Sequence, residues 1–319
     1  MSNNFRTLIN HPKSKNTISH EHSLMMLGSC FTQNIGKLFK QNQFDITINP
    51  FGITYNPLSI AQSLDILLSD KIFTIDDLTE HQERHVSLLH HREFYFEDEF
   101  TTLLYFNSKL KEAREKIKQI DFLFITLGTN TYFEYNKNKL IVNNCHKLPA
   151  KEFTKKEASI EDIFDKLNQS LNQLKSINPK CKFIFSISPI RYAQDGHFAN
   201  SINKSTLILA TQKLMNEHEN SYYFPAYEII LDDLRDYRFY KEDMNHPNDV
   251  AIKYIWNGVM NLMIDEKSKI IIEKVEKINL MKAHRPINPY SDAHKKFLEN
   301  IEKEISILKN TYKNIKFNL

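Results

Sequence analysis

The alternation of short apolar runs with helical patterns constrains the fold of this chain more than any other feature. The apolar runs are typical of strands buried on both faces; they cover 24–27, 44–48, 122–127 and 183–187. The helical patterns between them cover 31–41, 57–68, 109–119 and 160–177. This order predicts βαβ units and a mainly parallel sheet covered by helices on both faces. The carboxyl ends of the strands then share one edge, where open α/β sheets bind ligands.

Glycine is scarce, with only six in 319 residues. When a chain uses so few glycines, each one marks a position where the backbone needs it. Gly28, Gly52 and Gly128 all fall just after apolar runs. Three such glycines at three strand ends indicate one edge of a sheet.

Ser29 follows the first of these glycines, at a predicted turn from a buried strand into a helix. A serine held there has a fixed backbone and an accessible hydroxyl, as a nucleophile requires. Ser29 is therefore the leading candidate for the reacting residue. Cys30 is the alternative, because a thiolate is a stronger nucleophile. The residue after such a nucleophile usually turns inward, which favours a buried, inert thiol for Cys30.

The best candidate for the base that a serine needs is His246. It lies just before Pro247, where a helix with a clear apolar stripe begins. Asp243 is three residues back on the same turn and could fix the tautomer of the imidazole. The spacing alone favours another interpretation, in which Asp243 caps the helix and His246 is a surface residue.

An acyl-transfer site also needs donors for a developing oxyanion. The sequence offers the backbone N–H of Ser29, the N–H around Gly52 and the side chain of Asn130, all of which follow strand ends. Taken singly, each of these segments also fits an ordinary strand-to-loop turn.

The order of the candidate residues resembles the pattern of SGNH (GDSL-like) hydrolases. In this pattern a serine is followed along the chain by a glycine, then by Gly-x-Asn and finally by Asp-x-x-His. Longer segments resemble the GSCFA-domain family, from roughly residue 22 to 262. These segments are Gly28-Ser-Cys-Phe31, Asn49-Pro-Phe-Gly52, Thr126-Leu-Gly-Thr129, Asn144-Cys-His-Lys-Leu-Pro149, Ser188-Pro-Ile-Arg191, Tyr223-Phe-Pro-Ala-Tyr-Glu228, Leu234-Arg-Asp-Tyr-Arg-Phe-Tyr240, Asp243 and His246-Pro247.

The resemblance implies a flavodoxin-like, three-layer α/β/α sandwich and serine esterase or acyl-transfer chemistry. It makes Ser29 the nucleophile, His246 the base and Asp243 the orienting acid. Gly52 and Asn130 become oxyanion donors, with Thr129 as the alternative for the asparagine of the third block. The chain departs from the GDSL pattern at Gly28, where that pattern has an aspartate.

Two further residues are candidates for substrate binding besides Thr129. Arg191 should fall near the carboxyl edge of the sheet, where it could bind an anionic group or form an internal ion pair. His146 adjoins Cys145, but neighbouring side chains of an extended segment point apart, so a cysteine–histidine pair is disfavoured. The histidines at 81, 85, 90 and 91 have no convincing metal-ligand spacing, and we expect them to be solvated.

The composition excludes several classes of protein. A net charge of +3 is too small to indicate a nucleic-acid partner. The three cysteines are too widely spaced for a disulfide framework or a zinc site. No apolar run is long enough for a membrane span, and the N-terminus lacks the apolar core of a signal peptide. We expect a cytoplasmic protein without a metal or an organic cofactor; its oligomeric state is open.

The predicted organisation is a hydrolase domain over 1–264, with an insertion near 72–106, followed by a helical extension over 265–319. Two one-sided apolar stripes define the helices of the extension. These are Ile271, Val275 and Ile278 in the first, and Phe297, Ile301, Ile305 and Leu308 in the second. Packing against the main domain is favoured over a dimerisation hairpin.

Together, these features predict a serine esterase of the SGNH type whose substrate is a small-molecule or glycan ester, such as an O-acyl group on a carbohydrate. An acyltransferase using the same site is an alternative. A catalytically silent module that binds a glycan or a lipid is another.

Overall fold

The computed structural model describes residues 7–92, 94, 96, 98–312 and 315. Within them the strands are β1 (Ser23–Gly28), β2 (Asp45–Ile48), β3 (Thr79–His81), β4 (Arg84–Val86), β5 (Phe122–Leu127), β6 (Thr131–Tyr135), β7 (Leu140–Val142), β8 (Phe153–Glu157), β9 (Lys182–Ile187) and β10 (Tyr222–Tyr223). The helices are α1 (Cys30–Gln41), α2 (Pro57–Leu67), α3 (Glu99–Ile117), α4 (Ile160–Ile177), α5 (His197–Glu217), α6 (Ala226–Glu228), α7 (Asp249–Met263), α8 (Glu266–Ala283) and α9 (Asp292–Thr311).

The central sheet is parallel and has the strand order β10-β9-β5-β1-β2. Strand β2 lies on one side of β1, and β5 lies on the other. The strand order therefore reverses between β1 and β5, as in flavodoxin-like sheets, and a ligand crevice is expected outside the carboxyl ends of these two strands. Gly28 is paired with Thr126 in this register, so Ser29 and Gly128 emerge at the same edge.

Alternate residues of the buried strands pack into two separate cores. Met25 and Leu27 of β1 contact the apolar faces of α2 to α5. Leu24 and Met26 point the other way, towards α1 and α7. A strand buried on both faces needs apolar residues at every position, which explains the unbroken apolar runs. The predicted three-layer α/β/α sandwich is confirmed.

In the central sheet, the predicted strands agree closely with the observed ones. Outside the sheet, the agreement between predicted and observed elements is poorer. The predicted helix 109–119 begins ten residues earlier, at Glu99, where Asp98 caps it. Helix α5 and the short strand β10 were not predicted. The hairpin predicted over 131–142 is present as β6 and β7, and β8 adds a third antiparallel strand.

The predicted insertion near 72–106 contains the β3–β4 hairpin and the start of α3; residues 93, 95 and 97 lie outside the described part. The expectation that its histidines are solvated is wrong for His90. This side chain is 3% exposed and stacks on Phe106, with ring centroids 3.9 Å apart. Burial lowers the pKa of His90 to about 3, so the ring is neutral and acts as part of the core.

The predicted stripes of the C-terminal helices pack mainly against each other. Residues from both stripes form one buried cluster with Ile315. Helix α8 also joins the main core through Ile272, and the Ser268 hydroxyl accepts a hydrogen bond from the His20 N–H. The apolar stripes are thus covered within one chain. Residues 313, 314 and 316–319 of the predicted extension are not described. In the described residues, no helix is long and apolar enough to cross a membrane.

Candidate active site

Ser29 lies where β1 passes into α1, at the switch point of the sheet. Gly28 makes this turn with φ +150°, and a Cβ there would lie 2.5 Å from the Thr126 carbonyl oxygen. Only glycine lets β1 and β5 come this close. Ser29 is the N-cap of α1, and its Oγ accepts a hydrogen bond from the Phe31 N–H. The side chain is therefore fixed at a helix N-terminus. At 1% exposed it is less accessible than the sequence led us to expect, because its hydroxyl is bonded to Ser188.

Ser29 and His246 line one cavity of about 490 Å³ at the carboxyl edge of the sheet. Its wall is formed by the ends of β1, β5 and β9 and by the loops that follow β2, β7 and β9. Besides Ser29 and His246, it contains Cys30, Tyr55, Asn56, Gly128, Thr129, Thr131, Phe133, Val142, Asn143, Asn144, Cys145, Ser188, Ile190, Arg191, Tyr192, Gln194 and Asn245. The sheet edge thus gathers chain segments that are far apart in sequence.

His246 and Asp243 form a hydrogen-bonded pair on one turn before α7. The Nδ1 atom of His246 lies 2.5 Å from Asp243 Oδ2, while Asp243 Oδ1 accepts the backbone N–H groups of Asn245 and His246. These backbone hydrogen bonds, with the imidazole as a further cause, lower the pKa of Asp243 to about 2. The helix cap is Asn248. Asp243 therefore orients the imidazole, and Nε2 remains for another partner.

The hydroxyl of Ser29 donates to Ser188 Oγ at 3.1 Å. Ser188 directly follows β9, so this bond spans the end of β5. No hydrogen bond joins Ser29 to His246 among the described residues. Hydrogen bonds between catalytic groups are often long or poorly aligned without substrate. In this structure the hydroxyl of the nucleophile candidate is hydrogen-bonded to Ser188 instead.

The structure does not bring Gly52 and Asn130 to the cavity. The N–H of Gly52 donates to the Asn49 carbonyl oxygen at 2.7 Å and closes a tight turn with φ +80°. The side-chain amide of Asn130 donates to the Ala158 carbonyl oxygen at 3.1 Å. These two groups are already paired inside the protein, so their predicted roles as oxyanion donors are not supported. Of the alternatives for the third block, Thr129 is the residue that lines the cavity.

Arg191 lies in the cavity wall, as predicted from its position after β9. Its guanidinium carbon is 6.0 Å from the centroid of the Tyr240 ring. Burial raises the pKa of Tyr227 and Tyr240, and the positive charge of Arg191 opposes this shift. Among the described residues, no carboxylate forms an ion pair with Arg191. The internal ion pair that was the alternative in the sequence analysis is therefore not found. The guanidinium is available to bind an anionic group of a substrate.

Cys30 and Cys145 line the cavity and His146 lies beside it, and only the partial burial of Cys30 and the shape of the His146 segment differ from expectation. Cys30 lines the cavity and is only half-buried, and desolvation raises its pKa, so it stays a thiol. Cys145 also lines the cavity, with its pKa raised to about 11 by burial. His146 lies in a neighbouring groove, where its Nε2 is 2.9 Å from the Ser87 carbonyl oxygen. Because His146 has φ +48°, the segment is not extended.

Lys204 is a residue beneath the site that the sequence did not indicate. It is 1% exposed on α5, and its Nζ donates to the carbonyl oxygens of Gly128 and Ser188 at 2.7 and 2.8 Å. It therefore ties together the ends of β5 and β9. Burial lowers the pKa of this amine to about 7 from its ordinary 10.5. The Nζ atom also lies 5.6 Å from the centroid of the Tyr227 ring.

The buried amine makes stability depend on pH. Between pH 7 and 10.5 the unfolded chain keeps the proton that folded Lys204 releases, so stability should rise with pH in this window. Lys204→Met should remove this rise, which amounts to about 4 kcal/mol at most. Urea unfolding from pH 6.5 to 10 measures it, with Lys213→Met on the exposed face of α5 as the control. Equal slopes for Lys204→Met and the unmodified protein would contradict the titration.

The sequence marks Ser188 only as part of the Ser188-Pro-Ile-Arg191 segment, although its position carries a further signal. Like Ser29, it is a serine placed directly after a buried strand. Asn143, Asn144 and Asn245 also line the cavity. Asn144 begins one of the segments that carry the family resemblance, while no sequence pattern marks Asn143 or Asn245. In the described part of the chain, no group of three histidine, cysteine or acidic side chains could hold a metal ion.

The fold and the site define the class: an α/β protein of flavodoxin-like topology with Ser, His and Asp side chains at the switch-point edge of its sheet. The model of the GSCFA family matches residues 23–258, and that of the GSCFA domain protein, C-terminal domain, matches 275–319. This chain belongs to the GSCFA family. Among curated proteins, none matches it by sequence.

Solved structures with a similar fold include two carbohydrate esterases. One, of family 3 from Talaromyces cellulolyticus, is 10% identical with a TM-score of 0.39, covering 80% of this chain and 99% of that one. The other, a family 2 enzyme with a carbohydrate binding domain from Corynascus thermopiles, is 12% identical with a TM-score of 0.40. The match covers 83% of this chain and 68% of the family 2 enzyme. Likeness at this level does not bear on activity.

Proposed function

We propose that this protein is a serine esterase that forms an acyl-enzyme on Ser29. The observation that carries the proposal is one cavity that contains Ser29 and a His246 whose Nδ1 is held by Asp243 at 2.5 Å. A bond from Nδ1 to a carboxylate leaves Nε2 to act as the base, which is the arrangement of a serine triad. The resemblance of the sequence to SGNH hydrolases supports the same roles.

In this mechanism, rotation of the Ser29 side chain transfers its hydrogen bond from Ser188 to His246. Ser29 Oγ then attacks the acyl carbon, and its proton passes to His246 Nε2. Asp243 stabilises the imidazolium that forms. As the C–O bond of the ester breaks, His246 gives the proton to the leaving alkoxide. A water molecule, deprotonated by His246, then attacks the acyl carbon. The bond from this carbon to Ser29 Oγ breaks, His246 returns the proton to Oγ, and the acid leaves.

The first experiment is to react the purified protein with a fluorophosphonate and to locate the adduct by mass spectrometry. We expect one phosphonyl group on Ser29 and turnover of 4-nitrophenyl acetate. A silent binding module would show no labelling and no turnover. Faster release of the acyl group when an alcohol replaces water as acceptor would favour the acyltransferase.

The lining of the cavity supports an ester with a polar alcohol, such as an O-acylated carbohydrate or metabolite. Several side chains with amides line the wall, among them Asn144, Gln194 and Asn245. They can hydrogen-bond hydroxyl groups. Arg191 adds a positive charge that suits a carboxylate or phosphate on the substrate.

Replacement of Arg191 tests this anion preference. Arg191→Gln should raise KM by about 10- to 100-fold for an ester with a carboxylate, because a charge-assisted hydrogen bond contributes about 1.5–3 kcal/mol. Kinetics with 4-nitrophenyl hydrogen succinate and 4-nitrophenyl acetate measure it, and KM for the neutral acetate should change by less than about threefold. The exposed Arg235→Gln is the matched control. An equal loss with both esters would refute the role of Arg191.

A further inference from the structure

We propose that Thr129 is a catalytic residue whose hydroxyl donates a hydrogen bond to the oxyanion, and that Asn203 on α5 orients this hydroxyl. The inference rests on the serine esterase proposed above. It assigns to Thr129 the task that the sequence assigned to the side chain of Asn130.

The hydrogen bonds of Thr129 fix the direction of its proton. Its Oγ1 accepts from Asn203 Nδ2 at 2.7 Å and from the Thr131 N–H at 3.1 Å. A hydroxyl group has two acceptor sites and one donor. Both acceptor sites are occupied, and no described residue accepts the proton of Thr129. Thr129 is 6% exposed and lines the cavity, and in the proposed role its proton points into this cavity.

Asn203 is held so that it acts as a donor, not an acceptor, towards Thr129. Its Oδ1 accepts the N–H of Asn130 at 3.0 Å, which leaves Nδ2 to donate to Thr129 Oγ1 at 2.7 Å and, at a longer 3.4 Å, to Thr131 Oγ1. The next residue, Lys204, binds the carbonyl oxygens of Gly128 and Ser188. One buried turn of α5 therefore fixes the backbone and the hydroxyl at the end of β5. A donor fixed before the reaction is the kind that stabilises an oxyanion most.

Other polar groups of the wall are less suited to the task. Asn56 caps α2 through Oδ1 and donates to Ser59 Oγ. Asn143 Nδ2 donates to Thr54 Oγ1 and to the Leu89 carbonyl oxygen. Ser188 is the competitor, because its Oγ accepts the Ser29 hydroxyl and could donate in turn.

Attack by Ser29 forms the Oγ–C bond, and the carbonyl π pair becomes the lone pair of the oxyanion. The proton of Ser29 goes to His246 Nε2. Thr129 keeps its own proton and only shares it with the oxyanion, so Thr129 stabilises the intermediate together with the N–H of Ser29. Since this charge is absent from the bound ester, Thr129 should affect kcat much more than KM.

The experiment compares Thr129→Val, Thr129→Ser, Asn203→Asp and Ser188→Ala, with 4-nitrophenyl acetate as substrate. Thr129→Val should lower kcat by about 10²- to 10³-fold with KM nearly unchanged, and Thr129→Ser should restore most of it. In Asn203→Asp an oxygen without a proton replaces Nδ2, so the Thr129 hydroxyl should turn towards it and away from the cavity. We expect about a 10²-fold loss of kcat from this change.

Asn216→Asp, the same change on the exposed face of α5, is the control and should leave kcat unaltered. Circular dichroism and thermal unfolding establish that each variant is folded. If Thr129→Val does not fold, Asn203→Asp still decides, because it keeps Thr129.

Unchanged kcat in both Thr129→Val and Asn203→Asp would overturn the role of Thr129, and a comparable loss in Ser188→Ala alone would move the role to Ser188. Both results are distinct from failure of the esterase itself. That failure would show as absence of fluorophosphonate labelling at Ser29 in the unmodified protein.

Discussion

Ser29→Ala is expected to lower ester hydrolysis by roughly 10⁴-fold or more, to the level left by the remaining site groups. The reason is that alanine has no atom to form the acyl-enzyme. The same variant should lose fluorophosphonate labelling completely. Steady-state kinetics with 4-nitrophenyl acetate and intact-mass spectrometry measure the two effects.

Ser205→Ala on the exposed face of α5 is the matched control and should keep full activity. Stability should change little in Ser29→Ala, since it loses only the hydrogen bonds to Phe31 and Ser188. An active, unlabelled Ser29→Ala would show that another group is the nucleophile. Cys30 would then be the first to examine, because it lines the same cavity.

Asp243→Asn is expected to lower kcat by roughly 10²- to 10⁴-fold, the second largest effect. An amide in place of the carboxylate can present N–H to His246 Nδ1, which favours the tautomer with its proton on Nε2. That tautomer cannot take the proton of Ser29. The backbone N–H groups of Asn245 and His246 can still bind the remaining oxygen, so the turn should persist.

The pH profile tests the ionised state of Asp243. Because its pKa is lowered to about 2, Asp243 stays ionised above pH 4, so the activity of the unmodified protein should not be limited by protonation of this carboxylate in mild acid. Asp249→Asn, an exposed change at the start of α7, is the control. If Asp243→Asn had the same kcat as Asp249→Asn, the carboxylate would have no part in the reaction.

The sheet could be predicted because its strands are buried on both faces. At such strands every position must be apolar, so the runs at 122–127 and 183–187 are visible without any partner. The glycines were informative for a related reason. Gly28 lies where no Cβ fits. Because glycine is scarce in this chain, its position indicated that requirement.

Helix α5 could not be predicted, and the reason lies in its function. Its buried side includes Asn200, Asn203, Lys204 and Thr211, while Ile208 and Leu209 are at the surface. A helix that supports a site with polar side chains lacks the clean apolar stripe by which helices are recognised. Asn200, Asn203 and Lys204 bind residues of the cavity wall, so the helix most relevant to the site had a weak pattern.

The sequence by itself determined the fold class and the family resemblance, because these depend on short-range patterns. It offered the pair of Asp243 and His246 as one of two interpretations, since residues three apart on one turn lie close in many folds, and the hydrogen bond between them is a finding of the structure. Only the tertiary structure decided which groups meet across the sheet edge. Neighbouring residues of a chain can face opposite sides, so Thr129 enters the cavity while Asn130 binds Ala158. That choice depends on α5, 73 residues further along the chain.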